Sequence, residues 1–126
     1  MVILDTSVII DHLRQPFNKS ALVKIIRSHP KESLCISIIS IQELYEGQST
    51  RDEEEEEDLI AVIAPLKILP YSYDIAKCAG QIMRDISTPL EFMDAAIAAT
   101  AILHGAQLFT LNKKDFERIG DLELYK

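Results

Sequence analysis

The sequence opens with Val2-Ile3-Leu4-Asp5-Thr6-Ser7, in which three apolar residues lead directly into three polar ones. The apolar, partly β-branched run predicts a short strand that is buried on both faces, as in a parallel sheet. The polar residues are typical of a helix N-terminus, so a helix is predicted to follow and to end near Arg14. The chain therefore begins as a strand-helix unit with a carboxylate at its turn.

The same alternation of short apolar runs and helical patterns continues along the chain. Further strands are predicted at residues 34–39, 67–69 and 108–111, with a possible fifth at 122–125. Helices are predicted at residues 20–28, 40–47, 53–64, 72–83, 89–104 and 112–119. Short, apolar strands that alternate with helices predict an α/β fold: a three-layer α/β/α single domain over residues 1–126 with a short, mainly parallel central sheet.

Two of the predicted helices begin with recognisable N-terminal patterns. Ser40 stands three residues before Glu43, which is the spacing of a capping box, where the two side chains satisfy each other's backbone N–H groups. Thr88-Pro89-Leu90-Glu91 places proline at the predicted first helical position. The alanine-rich helix that follows is apolar nearly all round, so we expect it to pack between other elements.

Length and composition exclude several classes of protein. The chain has 126 residues, of which 48% are hydrophobic and 26% charged, and this balance indicates one globular domain rather than a disordered chain. The most apolar stretch, Ala95 to Leu103, is far shorter than the ~20 residues that a bilayer requires. We therefore expect a soluble, cytoplasmic protein without a membrane segment. Cys35 and Cys78 lie in apolar stretches and are expected to be buried thiols.

The net charge of -7 comes from one segment. Asp52 to Asp58 contains seven of the twenty acidic residues, so the thirteen that remain are balanced by thirteen Lys and Arg. The acidic run is predicted to be the exposed start of a helix, because a helix N-terminus favours negative charge. A docking site for a basic segment of a partner is the alternative.

Four acidic residues follow predicted strands or open predicted helices: Asp5, Glu43, Asp94 and Asp115. Each could simply cap a helix or interact favourably with the positive end of its dipole. However, turns at the carboxyl ends of parallel strands lie at the same edge of a sheet, so we expect the four to meet there. Clustered carboxylates repel one another unless a cation offsets their charge, and oxygen ligands without His or Cys favour Mg²⁺ or Mn²⁺. Such an ion can activate a water for attack on a phosphodiester.

Four segments carry a resemblance to a known family: VILDTSVIID (residues 2–11), SIQEL (40–44), DAAIAATA (94–101) and FTLNKKDF (109–116). In this order they resemble the four motifs of PIN-domain ribonucleases, most closely those of the VapC-like toxins of prokaryotic toxin–antitoxin pairs. The resemblance implies a PIN-like fold and a metal-dependent endoribonuclease that hydrolyses RNA. It also implies a small antitoxin partner whose tail blocks the acidic pocket, and a homodimer.

The resemblance assigns the acidic residues to a metal site. Asp5, Glu43 and Asp94 match the three acids that hold the metal ion in the family. Family members place a fourth acid at the position of Asn112 or of Asp115. Because the former is an amide here, Asp115 is the better candidate for the fourth ligand, and Asn112 is a candidate for binding water or substrate.

The resemblance also suggests polar partners for the substrate. Thr6 and Ser7 match a position that helps to orient a metal-bound water or the scissile phosphate, although either could cap the first helix. Candidate phosphate contacts are the basic residues near the predicted site, for which ordinary surface charge is an equally good explanation: Lys113, Lys114, Arg14 and Arg84. Asp11 is expected to face solvent or to pair with a neighbour.

Other functions are compatible with part of the pattern. A phosphatase of the haloacid dehalogenase type would need an acid two residues after Asp5, where Ser7 stands. A PIN-like module that binds RNA or protein with little or no catalysis is the main alternative.

Overall fold

The computed structural model describes residues 1–126 and contains a four-stranded parallel sheet with helices on both faces. The strands are β1 (Val2–Leu4), β2 (Leu34–Ser37), β3 (Lys67–Leu69) and β4 (Gln107–Phe109). Their order across the sheet is β3-β2-β1-β4, and all three pairings are parallel. The predicted three-layer α/β/α architecture is therefore confirmed, and its sheet is wholly parallel.

The helices are α1 (Thr6–Arg14), α2 (Ala21–Ser28), α3 (Ile38–Glu46), α4 (Glu53–Ile63), α5 (Tyr73–Asp85), α6 (Phe92–Leu103) and α7 (Lys113–Phe116). Short 3₁₀ turns occupy Phe17–Lys19 and Gln48–Arg51. None of the helices has both the length and the apolar character that crossing a lipid bilayer demands.

The pleat of the strands divides the apolar core into two layers. On one face of the sheet, Ile3 packs in a cluster with Ala98 and Ala101 of α6 and with Phe116 of α7. On the other face, Val2 and Leu4 pack in a cluster with residues of α1, α2, α3 and α4. Because successive strand residues point to opposite faces, a three-residue strand is sufficient to join both layers. Residue 5 then leaves the sheet at its carboxyl edge.

The predicted capping box at the start of α3 is wrong. Strand β2 ends at Ser37 rather than at Ile39, and Ser37 is the N-cap, because its hydroxyl accepts a hydrogen bond from the Ile39 N–H at 3.1 Å. Ser40 therefore lies inside the helix, where its buried hydroxyl has no hydrogen-bond partner. The shift frees Glu43 from any capping role.

Other predicted boundaries also differ from the structure. Helix α6 begins at Phe92 with Glu91 as its N-cap, so Pro89 is in the preceding loop. Strand β4 ends at Phe109 rather than at residue 111, and α7 is a single turn that ends at Phe116 rather than at residue 119. The possible fifth strand is reduced to one bridge between Leu108 and Leu124. Strand ends and last helical turns depend on tertiary contacts that local patterns do not contain.

The acidic run forms the first turns of α4, as predicted. Asp52 is the N-cap of the helix, and its side chain accepts a hydrogen bond from the Glu55 N–H at 3.2 Å. All residues of the run except Glu56 are exposed, and Glu56 accepts a hydrogen bond from the Tyr45 hydroxyl at 2.8 Å. Both cysteines are free; Cys35 is buried as expected, and Cys78 only partly so.

Candidate active site

A cavity of about 520 Å³ opens at the carboxyl edge of the sheet. It brings together all four predicted acids and a fifth, Glu91, which the sequence did not single out. Its lining residues are Asp5, Thr6, Ser7, Ile10, Glu43, Pro89, Leu90, Glu91, Asp94, Asn112, Asp115 and Arg118. The four predicted acids therefore line one cavity, although Glu43 lies within α3 and Asp94 lies on α6, which follows α5 rather than a strand.

Asp5 is the most deeply buried of the five acids, with 4% of its surface exposed. It directly follows β1, and its backbone N–H donates to the carbonyl of Phe109 at 2.9 Å. Its side chain makes no capping hydrogen bond to α1. Instead, Asp5 Oδ2 accepts hydrogen bonds from Ser7 Oγ at 2.7 Å and from Thr110 Oγ1 at 2.8 Å. The carboxylate is therefore oriented by two hydroxyl groups rather than by a helix end.

The same two hydroxyls connect Asp5 to the turn after β4. Ser7 Oγ accepts a hydrogen bond from the Leu111 N–H at 3.1 Å, and Thr110 Oγ1 accepts one from the Asn112 N–H at 3.0 Å. Each hydroxyl has one proton, and both protons are directed at Asp5. Thr110 was not predicted as a site residue, because the sequence pattern placed it inside a strand over residues 108–111, whereas β4 ends at Phe109.

Glu43 projects from α3 toward the same cavity. Thr6 Oγ1 donates a hydrogen bond to Glu43 Oε1 at 2.7 Å, which joins the start of α1 to α3. Burial raises the pKa of Glu43 above its ordinary value, the Thr6 hydrogen bond opposes this increase, and the charge of Asp5 adds to it. Thr6 thus orients an acidic side chain, just as Ser7 does.

Asp94 is the third residue of α6 and is partly buried. Burial is the largest of the effects that raise its pKa to about 7, and the negative charges of the other four acids add to that effect, in the order Asp5, Asp115, Glu91 and Glu43. The mutual repulsion shows that the five carboxyl groups share one electrostatic environment. A cation placed among them would relieve this repulsion.

The donor set of the cavity is suited to a hard cation. Its lining contains carboxylates, hydroxyls and one amide, but no His or Cys. As the side chains stand, however, no three His, Cys, Asp or Glu residues are close enough together to hold a metal ion. Hydrogen bonds fix Asp5 and Glu43, whereas Asp115 is exposed. Shared binding of an ion by three of the acids therefore requires rotation of carboxylate side chains.

The predicted basic contacts lie outside the acidic cavity. Lys113 and Lys114 are exposed on α7 but do not line the acidic cavity. Arg14 lines an adjoining cavity of about 340 Å³, which also includes Glu43. Arg84 lies away from both of these cavities and forms an exposed ion pair with Asp85, with Nε to Oδ1 at 2.7 Å. Of the proposed substrate contacts, only Asn112 lines the acidic cavity.

Asp11 and the histidines have structural partners elsewhere. Asp11 Oδ2 accepts a hydrogen bond from the Ala21 N–H at 3.0 Å, so it pairs with the start of α2. His12 is hydrogen-bonded to Ser20, His29 to Tyr125 and His104 to the carbonyl of Thr100. No histidine lines the acidic cavity.

A short parallel sheet with acidic side chains gathered at its carboxyl edge is the arrangement expected of PIN domains. The model of the PIN domain family matches residues 2–122, and the chain belongs to that family. The resemblance on which the sequence analysis relied is thereby confirmed.

Individual relatives carry the VapC name. Ribonuclease VapC1 of Rickettsia felis is 31% identical over 130 residues, which cover 98% of this chain and 93% of that protein. The tRNA(fMet)-specific endonuclease VapC of Shigella flexneri is 28% identical over 125 residues, covering 94% and 92%. The crystal structure of DNA-bound VapBC from Salmonella typhimurium matches with a TM-score of 0.86 and 26% identity, covering 98% of this chain and 96% of that one.

Proposed function

We propose that this chain is a metal-dependent endoribonuclease, the VapC-like toxin of a toxin–antitoxin pair. The observation that carries the proposal is the gathering of Asp5, Glu43, Asp94 and Asp115 around one cavity, where burial and the neighbouring negative charges raise the pKa of Asp94 to about 7. A domain that needed only helix caps would gain nothing from this arrangement. The ribonuclease and endonuclease names of its relatives support the same activity.

In this proposal, the four acids hold Mg²⁺ or Mn²⁺, with Asp5, Glu43 and Asp94 as the principal ligands and Asp115 as the fourth. A bound ion of this kind polarises a phosphate and lowers the pKa of a coordinated water. The chain itself supplies orientation. Ser7 and Thr110 hold Asp5, and Thr6 holds Glu43, so each of these two carboxylates is kept directed by donated hydrogen bonds. The cavity offers no Ser or Cys with a His partner, which favours direct attack by water.

The substrate and partners in the proposal follow from the relatives. Since two relatives are named for cleavage of tRNA(fMet), this tRNA is the first RNA to test. An antitoxin would occupy the acidic cavity with a basic side chain, because only a cation matches its charge. The chain would act on RNA in the cytoplasm as a homodimer. Asn112 would contact the substrate from the cavity wall.

A cleavage assay tests the activity. Purified protein is incubated with tRNA in Mg²⁺, in Mn²⁺ and in excess chelator, beside Asp5→Asn and the matched control Asp74→Asn, which changes an exposed acid in the first turn of α5. We expect metal-dependent cleavage by the wild type and the control, and none by Asp5→Asn. Equal cleavage by all three proteins, or RNA binding without any cleavage, would instead support a binding module.

A further inference from the structure

Arg118 is the only basic residue that lines the acidic cavity. It is exposed, two residues beyond the end of α7, and shares the cavity with five acidic residues. Its guanidinium forms no ion pair with any of them, because the two ion pairs of the structure join Met1 to Glu32 and Arg84 to Asp85. A positive charge is thus kept beside the acids without being neutralised by direct contact.

A backbone contact holds this arginine in place. Arg118 Nη2 donates a hydrogen bond to the carbonyl oxygen of Pro89 at 3.0 Å. Pro89 lies in the segment just before α6, the helix that carries Asp94, and it also lines the cavity. A guanidinium has five N–H donors in a planar fork, so this contact leaves donors available for a ligand.

The charge of the cavity makes such a donor necessary for an RNA site. Carboxylates repel phosphodiesters, and a bound divalent ion offsets this repulsion only near the ion itself. A planar guanidinium can bind two phosphate oxygens at once, which an ammonium group does less well. The residues at the cavity wall offer no second cation for the role.

The position of Arg118 also indicates where a bound strand would continue. The arginine lines a second cavity of about 520 Å³, whose walls come from α5, α6 and the chain after α7. It therefore stands at the boundary between the two cavities. Arg84 lies in the second cavity but is occupied by Asp85.

We propose that Arg118 binds a backbone phosphate of the RNA at the edge of the acidic cavity, and so directs the strand toward the second cavity. The assignment rests on the ribonuclease function proposed above. Lys113 and Lys114, two of the candidate contacts from the sequence, lie outside the cavity wall and would have smaller roles.

The test compares Arg118→Gln and Arg118→Lys with the matched control Arg27→Gln, which changes an exposed arginine of α2 that lines neither cavity. With tRNA and Mg²⁺, we expect Arg118→Gln to raise KM about tenfold while kcat stays within about twofold, and Arg118→Lys to raise KM less, because it keeps the charge but not the fork. In chelator, where no cleavage is expected, the binding of fluorescently labelled tRNA should depend less steeply on salt for Arg118→Gln than for the wild type. The slope of log K against log salt concentration should be smaller by about 0.7, the value for one lost phosphate contact. Arg27→Gln should match the wild type in both assays.

The outcomes separate the two proposals. A wild type that cleaves tRNA, together with Arg118→Gln at an unchanged KM and salt slope, overturns the Arg118 assignment alone. A purely structural role would lower the melting temperature without changing the salt slope, and this also overturns it. If Arg118→Gln does not fold, the KM of Arg118→Lys decides, because this variant keeps the charge but loses the bidentate geometry, and a KM equal to that of the wild type contradicts the proposal. A wild type that neither binds nor cleaves tRNA overturns both proposals.

Discussion

Thr110 Oγ1 donates a hydrogen bond to Asp5 Oδ2 at 2.8 Å, across 105 positions of the sequence. The contact joins the ends of β1 and β4, which are neighbours in the sheet. Thr110 is 2% exposed, so its hydroxyl has little access to water as an alternative partner. The bond therefore orients the most deeply buried acid of the cavity from a strand at the far end of the chain.

Replacing Thr110 by valine should weaken both the fold and the site. The change leaves buried Asp5 with one hydrogen bond fewer and removes the acceptor of the Asn112 N–H, at an expected cost of about 1 to 3 kcal/mol. Urea unfolding and RNA cleavage measure the two effects. Thr100→Val is the matched control, because the buried Thr100 hydroxyl bonds only to the Ala96 carbonyl within α6. If both variants lost stability and cleavage activity to the same extent, the contact to Asp5 would have no special role.

Asp94→Asn should abolish metal-dependent cleavage yet stabilise the metal-free protein. The substitution removes a charge that burial and four neighbouring acids make unfavourable, and the expected gain is roughly 1 to 2 kcal/mol after solvent screening is considered. Thermal unfolding in chelator, together with a cleavage assay, checks both effects. A marked loss of stability without metal would assign Asp94 a structural role instead.

The stability of the metal-free protein should depend on pH through the same residue. The folded-state pKa of Asp94 is about 7, above its ordinary value of 3.8, so the folded protein binds this proton more tightly than the unfolded chain does. Its contribution to the free energy of unfolding is therefore largest near pH 4, falls as the pH rises toward 7 and is constant above that. The raised pKa of Glu43 acts in the same direction.

The difference between the wild type and Asp94→Asn isolates this contribution. Denaturant unfolding at several pH values should show that the free energy of unfolding of the variant increases relative to that of the wild type as the pH rises from 4 to 7. A difference that is constant over this range would mean that the Asp94 pKa is not raised in the folded protein.

The start of α3 offers a test of local structure. Ser40→Ala should be neutral or slightly stabilising, because the buried Ser40 hydroxyl has no hydrogen-bond partner. Ser37→Ala should cost about 1 kcal/mol, because it removes the N-cap contact to the Ile39 N–H. Chemical denaturation of the two variants gives the comparison. A larger loss of stability for Ser40→Ala than for Ser37→Ala would instead support a capping box at Ser40.

The fold was largely predictable because its signals are local. Apolar runs such as Val2–Leu4 lead directly into polar turns, and parallel topology then places those turns at one edge. The same reliance on local pattern produced the error at Ser40, where two serines compete to cap one helix. Only the hydrogen bond to the Ile39 N–H distinguishes Ser37 as the cap.

The two site residues that were not predicted from the sequence were missed for a different reason. Thr110 and Arg118 acquire their positions from partners far away along the chain, Asp5 and the Pro89 carbonyl. Neither residue belongs to a spacing that local periodicity can detect. Arg84 and Lys113, by contrast, were singled out because they lie near the relevant segments in sequence, but neither lines the acidic cavity.

The most direct test of the central claim is a calorimetric titration of the metal-free protein with Mn²⁺. Beside the wild type stand Asp5→Asn and the control Glu54→Gln, which changes an exposed acid of the α4 run. We expect saturable binding by the wild type and by Glu54→Gln, and its loss in Asp5→Asn. Binding that persists in Asp5→Asn but is lost in Glu54→Gln would place the ion on α4 and contradict the account.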